Sequence, residues 1–274
     1  MDQLFLIAYA IGVGAISGVL GGLLGIGGGV VIVPALILFL DSQPQFDPQL
    51  VTLVAVATSL SCVLGTSLSA ARAQLHAGKV QWPTVRRWVL PLTAGAVLSG
   101  HIAQSLPLVG LRLLIGGFLI FVAIVMASNW RPAAHRPAPG MALTGVTGFL
   151  GGIISGIAGI GGGNVIVPTL VYFNTPVHNA TANSSTLGVP IALSGSVGYL
   201  WAAAQSGPML RDSVPWLFGY IYLPATLLIV TMAMLCAPLG VALAQRLDPL
   251  PLRRVFALLL VLVATRMVYT ALVS

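Results

Sequence analysis

A glycine-rich motif occurs twice in the sequence, in a form that suits the binding of a small anion. Gly-Ile-Gly-Gly-Gly occupies positions 25–29 and 159–163, and Pro34 and Pro168 follow at the same offset. Such a run ends a helix and lets a ligand approach the backbone closely. The helix that begins after it directs free N–H groups and its positive dipole end at the break. The motif alternatively serves only close helix packing. The predicted anion-binding residues here are Gly27, Gly28, Gly29, Val30, Gly161, Gly162, Gly163 and Asn164.

Hydroxyl and amide side chains follow each motif and supply further hydrogen-bond donors for an oxyanion. Thr58 and Ser59 lie in the first half of the chain, and Asn183, Ser184, Ser185 and Thr186 lie in the second. We match Thr58-Ser59 with Ser185-Thr186, and Asn164 with Val30, which makes the predicted site asymmetric. Capping of the backbone or hydrogen bonding between helices is the alternative role for these side chains. Cys62 lies one helical turn after Thr58 and faces either a sulfur-containing substrate or simply its packing neighbours.

The titratable residues argue against an enzyme or a metal-binding protein. The sequence has no glutamate, and its five aspartates all lie at a terminus or between apolar runs. No acid pair, metal-ligand cluster or Ser–His motif supports an enzyme, and a Gly-x-Gly-x-x-Gly dinucleotide motif is not met. We therefore expect no catalytic residue, no metal and no cofactor. Without an acidic relay, a proton either travels with the substrate or is not coupled to its movement.

The composition indicates the elements that must position these residues. Hydrophobic residues make up 57% of the 274 residues and charged residues only 6%, whereas a soluble domain carries about a quarter charged residues. Apolar runs long enough to cross a bilayer fill most of the chain. The sequence thus predicts an all-α polytopic membrane protein embedded in lipid. These runs lie at 4–40, 49–71, 88–106, 108–128, 141–173, 180–205, 214–239 and 252–272.

The sequence is internally duplicated. Residues 1–128 form one repeat, residues 141–274 form the other, and a proline-rich basic linker at 129–140 separates them. Each repeat opens with a glycine-broken helical hairpin, either spanning or re-entrant, that three transmembrane helices follow. Besides the motif, three small residues recur in each half, at Gly14, Gly18 and Gly22 and at Gly148, Gly152 and Gly156.

The basic residues predict the orientation of the two repeats. The loop at 72–87 carries Arg72, Lys79, Arg86 and Arg87 and is expected in the cytoplasm, as is the linker. The basic loop with Arg246, Arg253 and Arg254 falls on the same side only if the run 141–173 enters and returns, which makes the repeats inverted. This use of basic residues as topology signals also argues against nucleic-acid binding.

The doubled motif and the hydroxyl-rich element after it resemble the sulfite exporter TauE/SafE family over nearly the whole chain. The resemblance implies a multi-pass protein of the bacterial inner (cytoplasmic) membrane that moves small sulfur oxyanions or organosulfonates. We expect a secondary transporter that works by alternating access around the two broken helices. The alternatives are a passive anion channel and a membrane subunit of a larger complex. The oligomeric state is open, and a homodimer is compatible with the sequence.

Overall fold

The computed structural model describes residues 3–25, 27–128, 139–206, 214–244 and 250–273. Because no water reaches the interior of a bilayer, the backbone of an apolar chain satisfies its own hydrogen bonds by forming helices. The described residues form a two-stranded hairpin, β1 (Leu217–Phe218) and β2 (Ile221–Tyr222), and ten helices: α1 (Gln3–Leu24), α2 (Gly29–Asp41), α3 (Pro48–His76), α4 (Trp82–Ser105), α5 (Leu108–Ala127), α6 (Met141–Ile157), α7 (Gly163–Tyr172), α8 (Val177–Gln205), α9 (Leu223–Ala244) and α10 (Leu250–Val273).

Five of the described helices contain segments long and apolar enough to cross a membrane, which confirms the predicted all-α polytopic class. The segments lie in α1, α3, α5, α8 and α9, and their bounds are Leu6–Leu24, Leu50–His76, Leu108–Ala127, Val177–Gln205 and Leu223–Ala244.

The second helix of each hairpin is too short to cross a bilayer. α2 has 13 residues and α7 has 10, which corresponds to lengths of about 20 and 15 Å. The apolar part of a bilayer is about 30 Å thick. Each glycine break therefore lies about half a membrane away from the far end of its short helix.

Contacts between the two halves occur in matched pairs. α1 packs on α9 as α6 packs on α4, and α3 packs on α9 as α8 packs on α4. The short helices follow the same rule, since α2 packs on α3 and α7 on α8. α3 also packs on α8, and α5 on α10. Exchanging the halves thus leaves these main contacts unchanged, which is the pattern expected of a duplicated chain.

The equivalent helices α3 and α8 run in opposite directions. Asn179, near the start of α8, donates a hydrogen bond of 2.9 Å to the carbonyl of Lys79, just after the end of α3. The same end of the fold holds the end of the linker, because Arg87 donates a 3.4 Å hydrogen bond to the carbonyl of Pro139. This is the arrangement that inverted repeats predict. The basic linker residues Arg131 and Arg136 and the loop residue Arg246 lie outside the described residues.

The recurring small residues bring the helices into close contact. Cβ atoms built on Gly14 and Gly18 of α1 would lie 2.7 Å from Ile229 O and 2.5 Å from Ala233 O of α9. A Cβ atom built on Gly148 of α6 would similarly lie 2.9 Å from Cγ of Pro91 on α4. Glycine therefore lets each hairpin approach a helix of the other half, which is the usual role of small residues in membrane interfaces.

The apolar run at 214–239 does not form one helix. Its first residues form the hairpin of β1 and β2, and α9 begins only at Leu223. Positive φ angles at Trp216 (66°) and Gly219 (59°) accompany this turn structure. Hydropathy alone does not reveal such a turn because all of its strand residues are apolar.

Candidate functional site

Both glycine motifs have the same left-handed conformation at their first and fourth positions, while at the third position only Gly27, with φ 71°, is left-handed. Gly25 follows α1 with φ 69°, and Gly28 precedes α2 with φ 78°. The equivalent angles in the second half are 70° at Gly159 and 81° at Gly162. These left-handed conformations favour glycine strongly over residues that carry a Cβ. The sequence prediction that the motif breaks a helix and starts a new one is confirmed in both halves.

The helix after each break presents its first amide groups to the break. The carbonyl of Gly28 accepts hydrogen bonds from Val31 and Ile32, at 3.0 and 3.2 Å. The carbonyl of Gly162 likewise accepts bonds from residues 165 and 166, at 3.0 and 2.8 Å. The earlier amides of an α-helix have no acceptor within the helix. In α2 these belong to Gly29 and Val30, and in α7 to Gly163 and Asn164, all of which are buried.

The two breaks meet in the interior of the protein. A Cβ atom built on Gly27 would lie 3.6 Å from the Cα atom of Gly161, its counterpart in the other half. The same atom would lie 2.9 Å from Cγ1 of Val63, one residue past the middle of α3. Gly29 likewise approaches the carbonyl of Gly159. The positive ends of α2 and α7 are thus brought to one place near the middle of the long helices.

Two crossed hydrogen bonds tie each long helix to the break of the other half. The hydroxyl of Ser59 on α3 donates to the carbonyl of Gly159, at 2.8 Å. The hydroxyl of Ser184 on α8 donates to the carbonyl of Gly25, at 2.9 Å. Since Gly25 and Gly159 are equivalent, Ser59 and Ser184 are equivalent too. For these two serines, bonding to backbone is the role that the structure shows.

This equivalence corrects the sequence matching of the two halves. Thr58-Ser59 corresponds to Asn183-Ser184, and not to Ser185-Thr186 as the hydroxyl pattern suggested. Because residues 183–186 are all polar, Thr58-Ser59 can be aligned with them in several ways by residue type. Only the alignment with Asn183-Ser184 places a serine against the first glycine of the opposite break. Leu60 is therefore the counterpart of Ser185.

Three of the predicted side chains lie against other partners. Thr58 accepts a hydrogen bond of 2.9 Å from the backbone N–H of Tyr222, and the Cys62 thiol lies 3.8 Å from the carbonyl of Thr226. Both residues share one face of α3, as predicted, and this face meets β2 and α9. Asn183 pairs with Gln81, accepting from its backbone N–H at 2.7 Å and donating to its side chain at 3.1 Å.

Thr186 also has a local partner. Its hydroxyl donates to the carbonyl of Ala182 within α8, at 3.0 Å. Such a bond along the helix is common for threonine in membrane helices.

The other two predicted side chains have unused donors. The amide nitrogen of Asn164 and the hydroxyl of Ser185 are buried and have no hydrogen-bond partner among the described residues. Asn164 lies in the first turn of α7. Ser185 lies on α8, three residues before Gly188, and therefore on the same face as that glycine. Buried polar atoms of this kind are rare in folded proteins and call for a specific explanation.

Ser67 is a third such residue, and the sequence did not single it out. Its hydroxyl is buried and unpartnered within the described part of the chain. It lies 3.0 and 3.3 Å from the Cβ positions of Gly27 and Gly161, so it stands where the two breaks meet. The available signal was its spacing, because Ser67 follows Ser59 by eight residues and so shares its face of α3.

Comparison with known proteins identifies the chain. Residues 10–267 match the family model described as Sulfite exporter TauE/SafE. The chain belongs to the TauE/SafE family. This match confirms the resemblance seen in the doubled motif. No solved structure matches the chain.

Curated relatives of this TauE/SafE chain are named as probable membrane transporter proteins. One from Haemophilus influenzae is 29% identical over 259 residues, covering 93% of this chain and 95% of the relative. One from Methanocaldococcus jannaschii is 29% identical over 262 residues, covering 92% and 91%. Probable membrane transporter protein YunE of Bacillus subtilis is 24% identical over 285 residues, covering 95% and 97%. The protein is accordingly a multi-pass membrane transporter and not an enzyme.

Arg112 is a charged residue of the TauE/SafE chain that is buried away from the breaks. Arg112, near the start of α5, is 5% exposed. Its guanidinium donates to Asp41 at the end of α2, at 3.0 Å, and to the hydroxyl of Thr52 on α3, at 3.1 Å. Arg72 and Arg266 are exposed, as expected for side chains that extend toward the membrane surface. Among the described residues, no cluster of three or more metal-binding side chains occurs.

Proposed function

We propose that this protein is a secondary transporter that moves a small anion across the bacterial cytoplasmic membrane. The anion is sulfite or a related sulfur oxyanion or organosulfonate, and it binds where the two helix breaks meet. The single observation that carries the proposal is the contact between Gly27 and Gly161, which brings two helix N-termini to one buried point. The sulfur class rests on the family's description and on the resemblance of the doubled motif.

The physics of the breaks favours an anion. Each helix start carries about half a positive charge and several N–H donors that lack an acceptor within the helix. Two such starts attract one negative ligand without a charged side chain. Asn164 and Ser185 add buried donors that have no partner among the described residues. Leaving such a group unpaired costs about 1–3 kcal/mol, and oxygens of a bound anion offset this cost.

The packing supports movement of two bundles around the breaks. α1 packs on α9, and α6 packs on α4, so each bundle joins a hairpin of one half to a helix of the other. α3 and α8 lie between the bundles and contact both breaks. In the proposed mechanism the two bundles rock against α3 and α8, and they open the anion site to one side of the membrane at a time.

Flux in reconstituted vesicles tests the proposal. The purified full-length protein in proteoliposomes should take up radiolabelled sulfite at a rate that saturates with concentration, and unlabelled sulfonates should compete. Protein-free vesicles provide the control. Flux that rises linearly to high concentration would instead indicate a channel. No flux of any sulfur anion through folded protein would contradict the proposal and favour a subunit of a larger complex.

A further inference from the structure

We infer that two equivalent hydrogen bonds are the gates of the transporter, one on each side of the point where the breaks meet. The side chain of Asn183 bonds to Gln81 and closes the cytoplasmic entrance, and that of Thr58 bonds to Tyr222 and closes the outer entrance. This inference rests on the proposed function and adds the residues that control access to its site. Each gate opens by breaking its own bond while the other bond stays formed.

The acceptors of the two bonds are equivalent residues. Ser59 and Ser184 correspond, because each bonds to the first glycine of the opposite break. The residues directly before them, Thr58 and Asn183, therefore correspond as well. Both accept from a backbone N–H of the other half, at 2.9 Å in the first case and 2.7 Å in the second.

The donors are equivalent by a separate criterion. Gln81 directly precedes α4, and Tyr222 directly precedes α9. Two equivalent glycines of α1 and α6 contact backbone carbonyls on these helices, Gly18 at Ala233 and Gly152 at Leu92. Gln81 lies eleven residues before Leu92, as Tyr222 lies eleven residues before Ala233. The same bond is thus made twice, once by each half.

The two bonds lie on opposite sides of the meeting point of the breaks. Val63 on α3 and Gly188 on α8 both contact this point. Thr58 precedes Val63 by five residues, and Asn183 precedes Gly188 by five, which is about 7.5 Å along each helix. Because α3 and α8 run antiparallel, the two steps lead in opposite directions. Gln81 belongs to the basic loop expected in the cytoplasm, which assigns the Asn183 bond to that side.

Each bond joins a bundle helix to a central helix. Tyr222 starts α9, which packs on α1, and Gln81 starts α4, which packs on α6. Their acceptors lie on α3 and α8, between these two bundles. When one bundle rocks away from its central helix, it therefore breaks one of the two bonds and leaves the other in place.

Both bonds are formed in this structure, which corresponds to a state closed on both sides. Thr58 and Asn183 are fully buried, and Gly27, Gly161 and Gly188 at the meeting point are buried too. A separated N–H and acceptor in such an interior are costly unless water reaches them. Opening of an entrance admits that water, so a gate is bonded when dry and hydrated when open.

Access to the meeting point from each side of the membrane tests the inference. The reporter is Ser67→Cys in full-length protein that also carries Cys62→Ala and Cys236→Ala. Right-side-out and inside-out vesicles are treated with 2-sulfonatoethyl methanethiosulfonate, which does not cross the membrane. The rate of labelling at position 67 is measured from each side.

The two gate variants should have opposite effects. Thr58→Val keeps the shape of the side chain but loses the acceptor, and it should raise labelling from the outer side about tenfold, the effect of losing a typical hydrogen bond. Asn183→Leu should raise labelling from the cytoplasmic side to a similar extent. Neither variant should raise labelling from the other side. A loss of stability alone would not produce this opposition.

Two further variants are controls. Thr58→Ser keeps the acceptor and should be labelled as slowly as the reporter alone. Thr66→Val makes the same substitution as Thr58→Val on the same helix, but the Thr66 hydroxyl donates to the carbonyl of Cys62 within α3, at 3.0 Å. Its labelling should be unchanged from both sides.

The outcomes separate the gates from the proposed function. Labelling that rises from both sides in each gate variant, or from neither side, would overturn the gates, while saturable sulfite flux through wild type would still support transport. Opposite effects with the two sides exchanged would support the gates and contradict the predicted orientation. Gating as expected in a protein that moves no sulfur anion would contradict the proposed substrate alone.

Discussion

At the scale of single residues, two serine hydroxyls hold the helix breaks in place. Ser59 donates a buried hydrogen bond to the carbonyl of Gly159, and Ser184 donates one to the carbonyl of Gly25. Each acceptor belongs to the first motif glycine of the other half. That carbonyl follows the end of a helix and has lost its regular acceptor role. The two bonds therefore satisfy backbone groups that the breaks would otherwise leave unpaired in an apolar interior.

Removing either hydroxyl should destabilise the protein. Ser59→Ala and Ser184→Ala each leave a buried carbonyl without its partner, which costs about 1–3 kcal/mol. The free energy of unfolding in detergent, measured with denaturant, provides the test. Ser194→Ala is the control, because the Ser194 hydroxyl bonds only to carbonyls of its own helix. Equal stability of all three variants and wild type would show that the crossed bonds contribute nothing.

Residue types in the sequence predict part of this site. The role of the glycines was predictable because few other residue types adopt a left-handed backbone conformation and because the motif occurs twice. The roles of Ser59, Thr58 and Cys62 were not, since a hydroxyl or thiol in a membrane helix faces either a ligand, another helix or its own backbone. The rotation of α3 about its own axis decides which of these partners a side chain meets. Because α3 is apolar on all sides, the sequence shows no polar face from which that rotation could be predicted.

At the scale of elements, the short helices α2 and α7 determine where the breaks lie. Each extends from a break in the interior to a turn at one end of the fold. The far end of α2 is fixed by Asp41, whose carboxylate pairs with buried Arg112. A negative charge at a helix C-terminus is unfavourable by itself, and the arginine offsets it. α2 is thereby tied to α3 and α5 at one end and to the opposite half at the other.

Substitution of the glycine that starts each short helix should abolish transport. A Cβ atom at Gly28 would lie 2.6 Å from the carbonyl of Ser17, and the φ angle of 78° adds strain. At Gly162 the nearest atom is the flexible end of Ile191, at 2.7 Å. Gly28→Ala should therefore impair transport more than Gly162→Ala, and leucine at either position should abolish it while membrane insertion remains.

Gly145→Ala provides the matched control for these variants. Gly145 lies in α6 and has nothing within 4 Å of its Cβ position, so the alanine should be tolerated. Flux into proteoliposomes and the amount of inserted protein are measured for all the variants. Normal flux in both leucine variants would contradict the assignment of the site to the breaks.

The sequence predicted the helices themselves better than their limits. Long apolar runs bounded by polar loops predicted α3, α5 and α8. The ends of these runs lie within a few residues, and at most two helical turns, of the ends of the helices. The hairpin before α9 was missed because its strand residues are as apolar as a helix. Whether the broken hairpins cross the membrane was open from run length alone. The position of each break depends on contacts with the other half, and run length carries no information on such contacts.

At the scale of the whole molecule, the two halves interlock through exchanged contacts. Helices of one half pack on helices of the other, and α3 and α8 run antiparallel through the middle. The duplicated sequence predicts this exchange because each half carries the same small residues and the same break. The inverted relation of the halves and the division at 129–140 stay predictions that labelling can test.

Labelling of single cysteines tests the topology. In a background without Cys62 and Cys236, cysteine at exposed positions Gln45, Lys79 and His178 is treated in intact cells with a membrane-impermeant maleimide. Inverted repeats with basic loops in the cytoplasm predict labelling at position 45 only, and labelling at 79 and 178 after permeabilisation. Labelling of position 178 from outside would contradict the inverted arrangement.

The position of a bound sulfonate tests the central claim most directly. Crystals of the protein grown with 2-bromoethanesulfonate would reveal the bromine by its anomalous scattering. The account predicts one bromine peak between the starts of α2 and α7, beside the point where Gly27 and Gly161 approach each other. A peak at the membrane surface, or elsewhere away from both breaks, would contradict a substrate site formed by the paired helix breaks.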